Sequence, residues 1–312
     1  MEILDLRHFA SADLRSLLEQ EVKVWAETLN WDYSGSLDMI LRYVDAKILP
    51  GYAALDHGVI LGYAFFVYEG SKGVIGDLFV AGGTPLTRDA ELRLLTHVIE
   101  TLQQSPGIHR AEAQLLAYET GYIAQPFLDT GFDRQPRLFM VLNLAGVRSA
   151  RRISQAGIEI RPWSEQDYQP VAALITACYR GHVDATINDQ YRSLAGSLRF
   201  LNNIVRFPGC GVFDPPSSFV AVNTMMQTTI GVSLCSRIRS DVGHVTQVCV
   251  LPEYQKHGIG EALLAHSAAA LKKRDFSALS LTVTQANAGA VHLYERLGFR
   301  TTRIFDAFVW EG

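Results

Sequence analysis

Several things are missing from this 312-residue sequence, and each absence narrows what it can be. Its four cysteines, Cys178, Cys210, Cys235 and Cys249, form no CxxC pair and no regular framework. That excludes a disulfide-stapled secreted scaffold and points to a reducing compartment where thiols serve as small apolar residues. No apolar run approaches the roughly 20 residues that a membrane helix needs. The opening MEILDLRHFASADL carries acids early and has no apolar core, so it does not read as a signal peptide, and a cytoplasmic protein is expected. An excess of one charge is missing too: 28 Lys and Arg stand against 32 Asp and Glu, with no basic stripe. No nucleic-acid partner and no membrane partner are therefore expected. No metal is expected either, because His182 and Asp184 lack a third ligand at a supporting spacing.

What is present is ordinary in bulk and patterned in detail. Hydrophobic residues make up 48% and charged residues 19%, as in a folded soluble protein, and the length suits about two domains. The segment 145–157, AGVRSARRISQAG, is small, polar and basic between two apolar runs, and reads as a linker. The same order of elements lies on either side of it. In the second half the pattern predicts strands at 218–223, 229–238, 244–251, 278–284 and 303–310, with helices at 260–273 and 288–298. In the first half it predicts strands at 51–56, 59–68, 73–80, 110–116 and 136–144, with a helix at 90–102. Local letters agree: Leu94-Leu95-Thr96-His97 resembles Leu263-Leu264-Ala265-His266, and Gly131-Phe132 resembles Gly298-Phe299. A duplicated α/β unit is the expected architecture.

The densest stretch is VLPEYQKHGIGEALL, residues 250–264. A strand end, a glycine-bearing loop and a helix start make an anion site, because unpaired N–H groups and the helix dipole both point at the ligand. Gly258 and Gly260 permit unusual dihedrals and close backbone approach, and Lys256 and His257 add charge. The dinucleotide fingerprint does not fit, since Leu263 stands where its third glycine belongs, and no Walker A loop is present. The pattern V-x-P-x-x-Q-x-x-G-x-G, carried by Val250, Pro252, Gln255, Gly258 and Gly260, resembles the acyl-CoA signature of the GNAT superfamily of N-acetyltransferases. Downstream, NAGAVHLYERLGF resembles the family's second signature through Asn287, Ala290, Leu293, Tyr294, Gly298 and Phe299.

The resemblance covers residues 157–312 in detail and the first half in element order, similar to tandem acetyltransferases. It implies two GNAT domains, each a mixed, mostly antiparallel sheet flanked by helices: a degenerate, non-catalytic one at 1–146 and one with an acetyl-CoA site at 157–312. It further implies that main chain at Val248, Cys249 and Val250 binds the pantetheine arm. Backbone from Gln255 through Lys256, His257, Gly258 and Ile259 to Gly260 would hold the pyrophosphate, with Asn287 as a helix cap or pantetheine contact. Tyr294 would protonate the leaving thiolate.

The strand carboxylate that many relatives use as a base is absent, because Thr246-Gln247 stands there. His244, Asp241, a water chain or a weakly basic acceptor are the alternatives. Over the acceptor site, CYRGHVDATINDQYRSL offers Tyr179, His182, Asp184 and Asn188. The first half keeps little of this. Asp89 stands near its helix start, Gly82 and Gly83 come too early, and counting from the shared Gly-Phe pairs sets Phe127 against Tyr294 and Thr120 against Asn287.

The expected activity is acetyl transfer from acetyl-CoA to a small-molecule or peptide amine by direct attack in a ternary complex. A non-catalytic acyl-CoA sensor or scaffold is the alternative. The chain would act as a monomeric intramolecular pseudo-dimer or as a homodimer.

Overall fold

The β-branched and alternating runs form strands, each within a few residues of its predicted span. The structure, a computed structural model, describes residues 1–83, 85–147, 157–206 and 211–312. Most of the expected linker at 145–157 lies outside these residues, as do Cys210 and the start of the turn region before Val212. The first half contains β1 (Glu2–Asp5), α1 (Ser11–Leu29), α2 (Ser34–Asp45), β2 (Gly51–Asp56), β3 (Val59–Glu69), β4 (Lys72–Val80), α3 (Thr87–Gln104), β5 (Arg110–Gln114), α4 (Ala124–Asp129) and β6 (Asp133–Asn143). The second contains β7 (Ile158–Pro162), α5 (Tyr168–Cys178), α6 (Asp184–Ile187), α7 (Leu194–Arg206), β8 (Val212–Phe213), β9 (Phe219–Asn223), β10 (Thr228–Arg239), β11 (Val242–Val250), α8 (Ile259–Lys272), β12 (Ala278–Thr284), α9 (Ala288–Leu297) and β13 (Arg300–Glu311).

These elements make two units whose limits differ from a simple cut at the linker. One comprises Met1–Arg137 with Ile304–Gly312, the other Leu138–Arg303. The chain leaves the first unit inside β6 and returns to it inside β13. Ala307 to Glu311 pair antiparallel with Gln114 to Arg110 of β5. A terminal strand reads alike whichever sheet it joins, so its sequence pattern does not tell the two apart.

Within the first unit the strands run β1-β2-β3-β4-β5-β13, and within the second β7-β9-β10-β11-β12, with β8 also on β10. The neighbours are antiparallel except β4 with β5 and β11 with β12. The irregularities repeat as well. β3 carries an extra residue, Leu61, against β2, and β10 carries Ile230 against β9. β4 carries Gly76 against β3, and β11 carries Thr246 against β10. Bulges are kept where a strand must bend, so two bulges recurring in the same places support duplication better than the short letter matches do.

Helix α3 packs Ala90, Leu94, Leu95, Val98, Ile99 and Leu102 onto Ala54, Ala64, Phe66 and Ile75 of the sheet. In the second unit Val220, Val232 and Leu234 face α5 and α7, while Ala221, Ile230 and Val250 face α8 through Ile259 and Leu263. Both sheet faces are covered there. Helices α1 and α2 escape pattern reading of the first half. The apolar face of α1 (Leu14, Leu17, Leu18, Trp25) is interrupted by Glu21, which is fully buried.

Glu21 meets Asp77 of β4 in the core. Tyr63 donates to Glu21 Oε2 at 2.5 Å, Trp25 Nε1 to Glu21 Oε1 at 3.1 Å, and Tyr33 to Asp77 Oδ2 at 2.5 Å. The Leu78 amide donates to Asp77 Oδ1 at 2.8 Å. Burial pushes Glu21 well above the usual carboxylate range, and the neighbouring Asp77 raises it further. Asp77 is raised as well, by burial. The pair therefore shares a proton in the folded state, which the unfolded chain releases near pH 4. Stability from this site is full below that value and lost as pH rises through the folded-state pKa. The slope is about 1.4 kcal/mol per pH unit for one proton. Glu21→Gln should flatten the decline in urea-unfolding free energy between pH 5 and pH 9. An equal decline in both proteins would place the shared proton elsewhere.

Candidate active site

The site starts from one extra residue. Leu234 pairs with Gln247 and Cys235 with Val245, so Thr246 bulges out of β11 and its hydroxyl donates to the Leu234 carbonyl at 3.2 Å. On its other edge β11 pairs with β12 only from Val242–Ala278 to Val245–Leu281. Beyond the bulge the two strands part, and Gln247 to Val250 keep β10 on one side with no strand partner on the other among the described residues. Exposed strand edges bind extended, amide-bearing ligands through main-chain hydrogen bonds.

The strand then runs into a helix start. Tyr254 N donates to Leu251 O at 2.8 Å, and Gln255 N to Pro252 O at 3.2 Å. Gln255 Nε2 donates to the Val250 carbonyl at 3.0 Å and ties the turn back to the strand end. Gln255 thus braces the loop, and its amide is not among those left for an anion, contrary to the sequence expectation. Lys256 and Gly258 both take left-handed dihedrals, φ +63° and +79°. Left-handed residues turn successive N–H groups toward one concavity. The first helical bond of α8 runs from Ala262 N to Gly258 O at 2.9 Å, so the amides of Ile259, Gly260 and Glu261 stand ahead of it. The two glycines serve different ends. A Cβ at Gly258 would meet nothing within 4 Å, so the backbone conformation selects glycine there. At Gly260 a Cβ would come 3.6 Å from Leu293 and 3.8 Å from Val250, narrowing the space between α8, α9 and the strand. Lys256 and His257 are exposed at the loop tip.

Asn287 caps α9, its Oδ1 accepting from Ala290 N at 3.3 Å. Tyr294 lies further along the same helix, buried, with its ring 5.9 Å from that of Phe299. The residues expected at the acceptor side converge on this opening. Tyr179, at the end of α5, donates to Gln247 Oε1 at 2.9 Å and stacks on Tyr191 at 4.2 Å. Removal from water raises the Tyr179 hydroxyl well above the ordinary tyrosine value, with Tyr191, Cys249, Asp184 and Tyr294 adding to the effect. His182 stands edge-on to Tyr179, ring centroids 5.2 Å apart, and Asn287 Nδ2 lies 3.3 Å from His182 Nε2. Asp184 accepts from Thr284 Oγ1 of β12 and lies 3.6 Å from His182 Nδ1. Asn188 turns inward on its own chain, its Oδ1 accepting from Gln190 N at 3.0 Å.

Sequence reasoning missed Gln247 as a site residue. It is buried, its Oε1 also accepts from Val248 N at 3.1 Å, and its Nε2 finds no acceptor among the described residues. Its signal was its place just after the bulge. Cys178 was missed as well. Contact with its thiol, then removal from water, holds Cys249 well above the usual thiol range.

His244 belongs to the core. It lies in the paired part of β11 opposite Ser280, whose hydroxyl is 2.8 Å from His244 Nδ1, and it stacks on Phe139 at 6.0 Å. It is buried before the bulge, not exposed at a strand end. Asp241 is engaged by Arg239 and Ser277, at 2.6 Å each, which hold its carboxyl down at about 2.

The first unit repeats the bulge and the parting of strands with different side chains around them. β4 and β5 part after Ile75–Ala113, next to the bulge at Gly76. Asp77 follows that bulge as Gln247 follows Thr246. At the start of α3, Asp89 is exposed and paired with Arg93 at 2.9 Å, while Glu91 lies 3.4 Å from Arg88. Glu91 is buried, its carboxyl raised by burial, among the Tyr122, Arg88 and Tyr118 side chains. Arg88 lies over the Tyr122 ring at 4.4 Å. Phe127 is fully buried, stacked on Phe308 at 4.0 Å, and offers no hydroxyl. Thr120 donates to Asp306 Oδ1 at 2.8 Å and caps no helix.

A parted pair of parallel strands that opens onto an amide-rich helix start can hold an extended ligand that ends in an anionic group. Residues 175–299 match the acetyltransferase (GNAT) family. It is 42% identical over 64 residues to ribosomal protein bS18-alanine N-acetyltransferase of Escherichia coli (strain K12), covering 20% of this chain and 43% of that one. It is 35% identical over 71 residues to N-alpha-acetyltransferase of Sulfurisphaera tokodaii, 22% of this chain and 42% of that one. The matches thus span less than half the length of these relatives. A GCN5-related N-acetyltransferase from Sphaerobacter thermophilus shares the fold over 99% of this chain and 95% of its own, with TM-score 0.67 and 16% identity. A tandem GNAT protein from the clavulanic acid biosynthesis pathway does so over 99% and 98%, with TM-score 0.62 and 14% identity. No helix of the described residues is long and apolar enough to cross a membrane.

Gly258→Ala should lower unfolding free energy by about 1–2 kcal/mol, the cost of forcing an L-residue into the left-handed region. Chemical denaturation measures this, and an unchanged midpoint would show that the loop adapts.

Proposed function

We propose that the chain is an acetyl-CoA-dependent N-acetyltransferase with one working site, in the second unit. The open edge of β11 beyond Thr246, continuous with the amide-rich start of α8, carries this reading. Strand edge and helix start present main-chain donors and acceptors in the order that a pantetheine arm and then a pyrophosphate require. Val248, Cys249 and Val250 line the arm. Lys256 and His257 and the backbone through Ile259 and Gly260 meet the phosphates. Lys256 and His257 are charge supplements, since the Gly258-centred turn supplies directed donors.

Acetyl-CoA is a substrate here, and what the protein supplies is alignment and proton handling. Holding amine and thioester together turns a two-body reaction into an internal one, an effect that reaches about 7–11 kcal/mol in well-oriented systems. A covalent acyl-cysteine route is disfavoured, because the thiolate is the nucleophile and Cys249 is held as the thiol. Direct attack by the amine follows. Tyr294 gives a proton to the departing sulfur, and Gln247 Nε2 supplies a buried donor to the bound substrates. The acceptor is a small-molecule or peptide amine. The first unit, residues 1–146 in the sequence division, is non-catalytic, because Glu91 sets a buried carboxyl beside the helix start and Phe127 replaces the acid.

Tyr294→Phe should leave the dissociation constant for acetyl-CoA unchanged and lower kcat by about 10²–10⁴-fold. Thiol release with an amine panel reads the rate, and an unaltered kcat would remove Tyr294 as the acid. Calorimetry should give one acetyl-CoA per chain. Two equivalents would mean that the first unit still binds.

A further inference from the structure

The parted edge of β11 holds a donor that the chain itself leaves unused. We infer that the side-chain amide of Gln247 is the donor that holds the acetyl carbonyl oxygen during transfer, with Tyr179 as the residue that positions it. The inference rests on the acetyltransferase reading and names the group that meets the charge gathering on that oxygen.

The first observation is which edge groups are already spent. Leu251 N donates to Ile230 O at 2.9 Å, and the register with β10 is unbroken from Gly231–Val250 to Leu234–Gln247. Ladder bonds alternate along an antiparallel pair. They therefore fall at Leu251, Cys249 and Gln247, and the main-chain groups of Val248 and Val250 face the open side. The Val248 amide donates to Gln247 Oε1 at 3.1 Å, and the Val250 carbonyl accepts from Gln255 Nε2 at 3.0 Å. The Val248 carbonyl and the Val250 amide are left to pair with an extended arm. A carbonyl brought to the end near the bulge needs a donor other than the Val248 amide.

The second observation is the orientation of the Gln247 side chain. Val248 N–H can only donate, so the atom that meets it is the side-chain oxygen, and the NH2 is the other branch of the amide. Tyr179 donates to the same oxygen at 2.9 Å. Two donors on Oε1 fix the carboxamide and draw electron density toward it, which strengthens Nε2 as a donor. Third, Gln247 is 4% exposed, and its Nε2 has no acceptor among the described residues. Buried donors are paired in nearly all native structures, and leaving one unpaired is costly. A substrate oxygen supplies the acceptor. Tyr179, which holds the amide, adjoins Cys249 of the open edge and Tyr294, the proton donor to sulfur. The amide therefore belongs to the thioester end of the arm.

The neutral amine attacks the carbonyl carbon with its lone pair, and the carbon–oxygen π electrons move onto oxygen. Nε2–H holds that oxyanion by a hydrogen bond and gives up no proton. As the carbonyl reforms, the carbon–sulfur bond breaks, its electron pair leaves with sulfur, and Tyr294 protonates the thiolate. The proton shed by nitrogen passes to solvent, and solvent restores the phenol. A fixed donor in a water-poor site needs no reorganisation when the charge develops, and losing one such donor costs about 10²–10³-fold in kcat.

The test reads the carbonyl stretch of bound, carbonyl-labelled acetyl-CoA by infrared difference spectroscopy, and kcat by thiol release with an amine panel. Wild type, Gln247→Met, Gln247→Glu and Tyr179→Phe are compared, with thermal unfolding as the check on folding. Wild type should lower the stretch relative to free acetyl-CoA. Gln247→Met should return it to the free value and lower kcat about 10²–10³-fold at an unchanged acetyl-CoA dissociation constant. Gln247→Glu keeps the shape but sets a carboxylate oxygen where the donor stood, so it should lose the shift and fall at least as far in kcat. Tyr179→Phe leaves Nε2 in place and should keep part of the shift; a full wild-type shift there removes Tyr179 as the positioning residue. An unshifted stretch in wild type, or a folded Gln247 variant with the wild-type stretch and kcat, overturns the inference while released thiol keeps the acetyltransferase reading. A Gln247→Glu protein faster than wild type does the same, because the position then acts on the amine. Wild type that neither binds acetyl-CoA nor releases thiol overturns both.

Discussion

Thr246 is the residue on which the geometry of the second unit turns. As the extra residue of β11 it bends the strand away from β12, and hydrogen bonding along that edge stops at Val245. Main-chain groups that a regular sheet would consume are left for a ligand. The cost in lost ladder bonds is met by the surroundings: β10 continues to pair with β11, and Gln255 clamps the strand end through the Val250 carbonyl. The helix start, the cap of α9 and the tyrosine pair take their places relative to this parting of strands.

The first unit shows how little of that geometry is chemistry. It has the same bulges, the same short parallel pairing and the same parting after four residue pairs. What differs is the side chain placed at each point. After the bulge stands Asp77, sharing a proton with Glu21 inside a cage of Trp25, Tyr33 and Tyr63. Beside the helix start stands Glu91. An opening lined this way is turned into core, and its polar groups satisfy one another. In the second unit the corresponding position holds Gln247, a neutral amide whose oxygen has two donors and whose nitrogen has no acceptor among the described residues. One scaffold has thus been spent in two ways.

With the neutral amide of Gln247 after the bulge, the charge near the opening comes from outside the sheet. Negative charge enters from Asp184, on a single-turn helix outside the sheet, and is held against β12 by Thr284. Tyr179 links this polar group to Gln247 while stacking on Tyr191. The segment between α5 and α7 is thus joined to the sheet on both sides of the parted strands.

The sequence by itself determined the local parts: strand, turn and helix across residues 250–264, the cap and tyrosine of α9, and the repeat of elements. Periodicity, left-handed glycine and capping act within a few residues of chain, so they are legible in order. Only the tertiary structure decided the rest. The contacts of Tyr179 with Gln247, Asp184 with Thr284 and His182 with Asn287 join residues 68, 100 and 105 positions apart. His244 looked like a strand-end histidine until its pairing with Ser280 set it in the core. Glu21 broke an apolar stripe because its partner Asp77 lies on a distant strand. The last strand carries no mark in its pattern of the unit that it completes. Long-range pairing and burial depend on which surfaces meet, and a period of two or of 3.6 residues gives the face of an element without naming its neighbour.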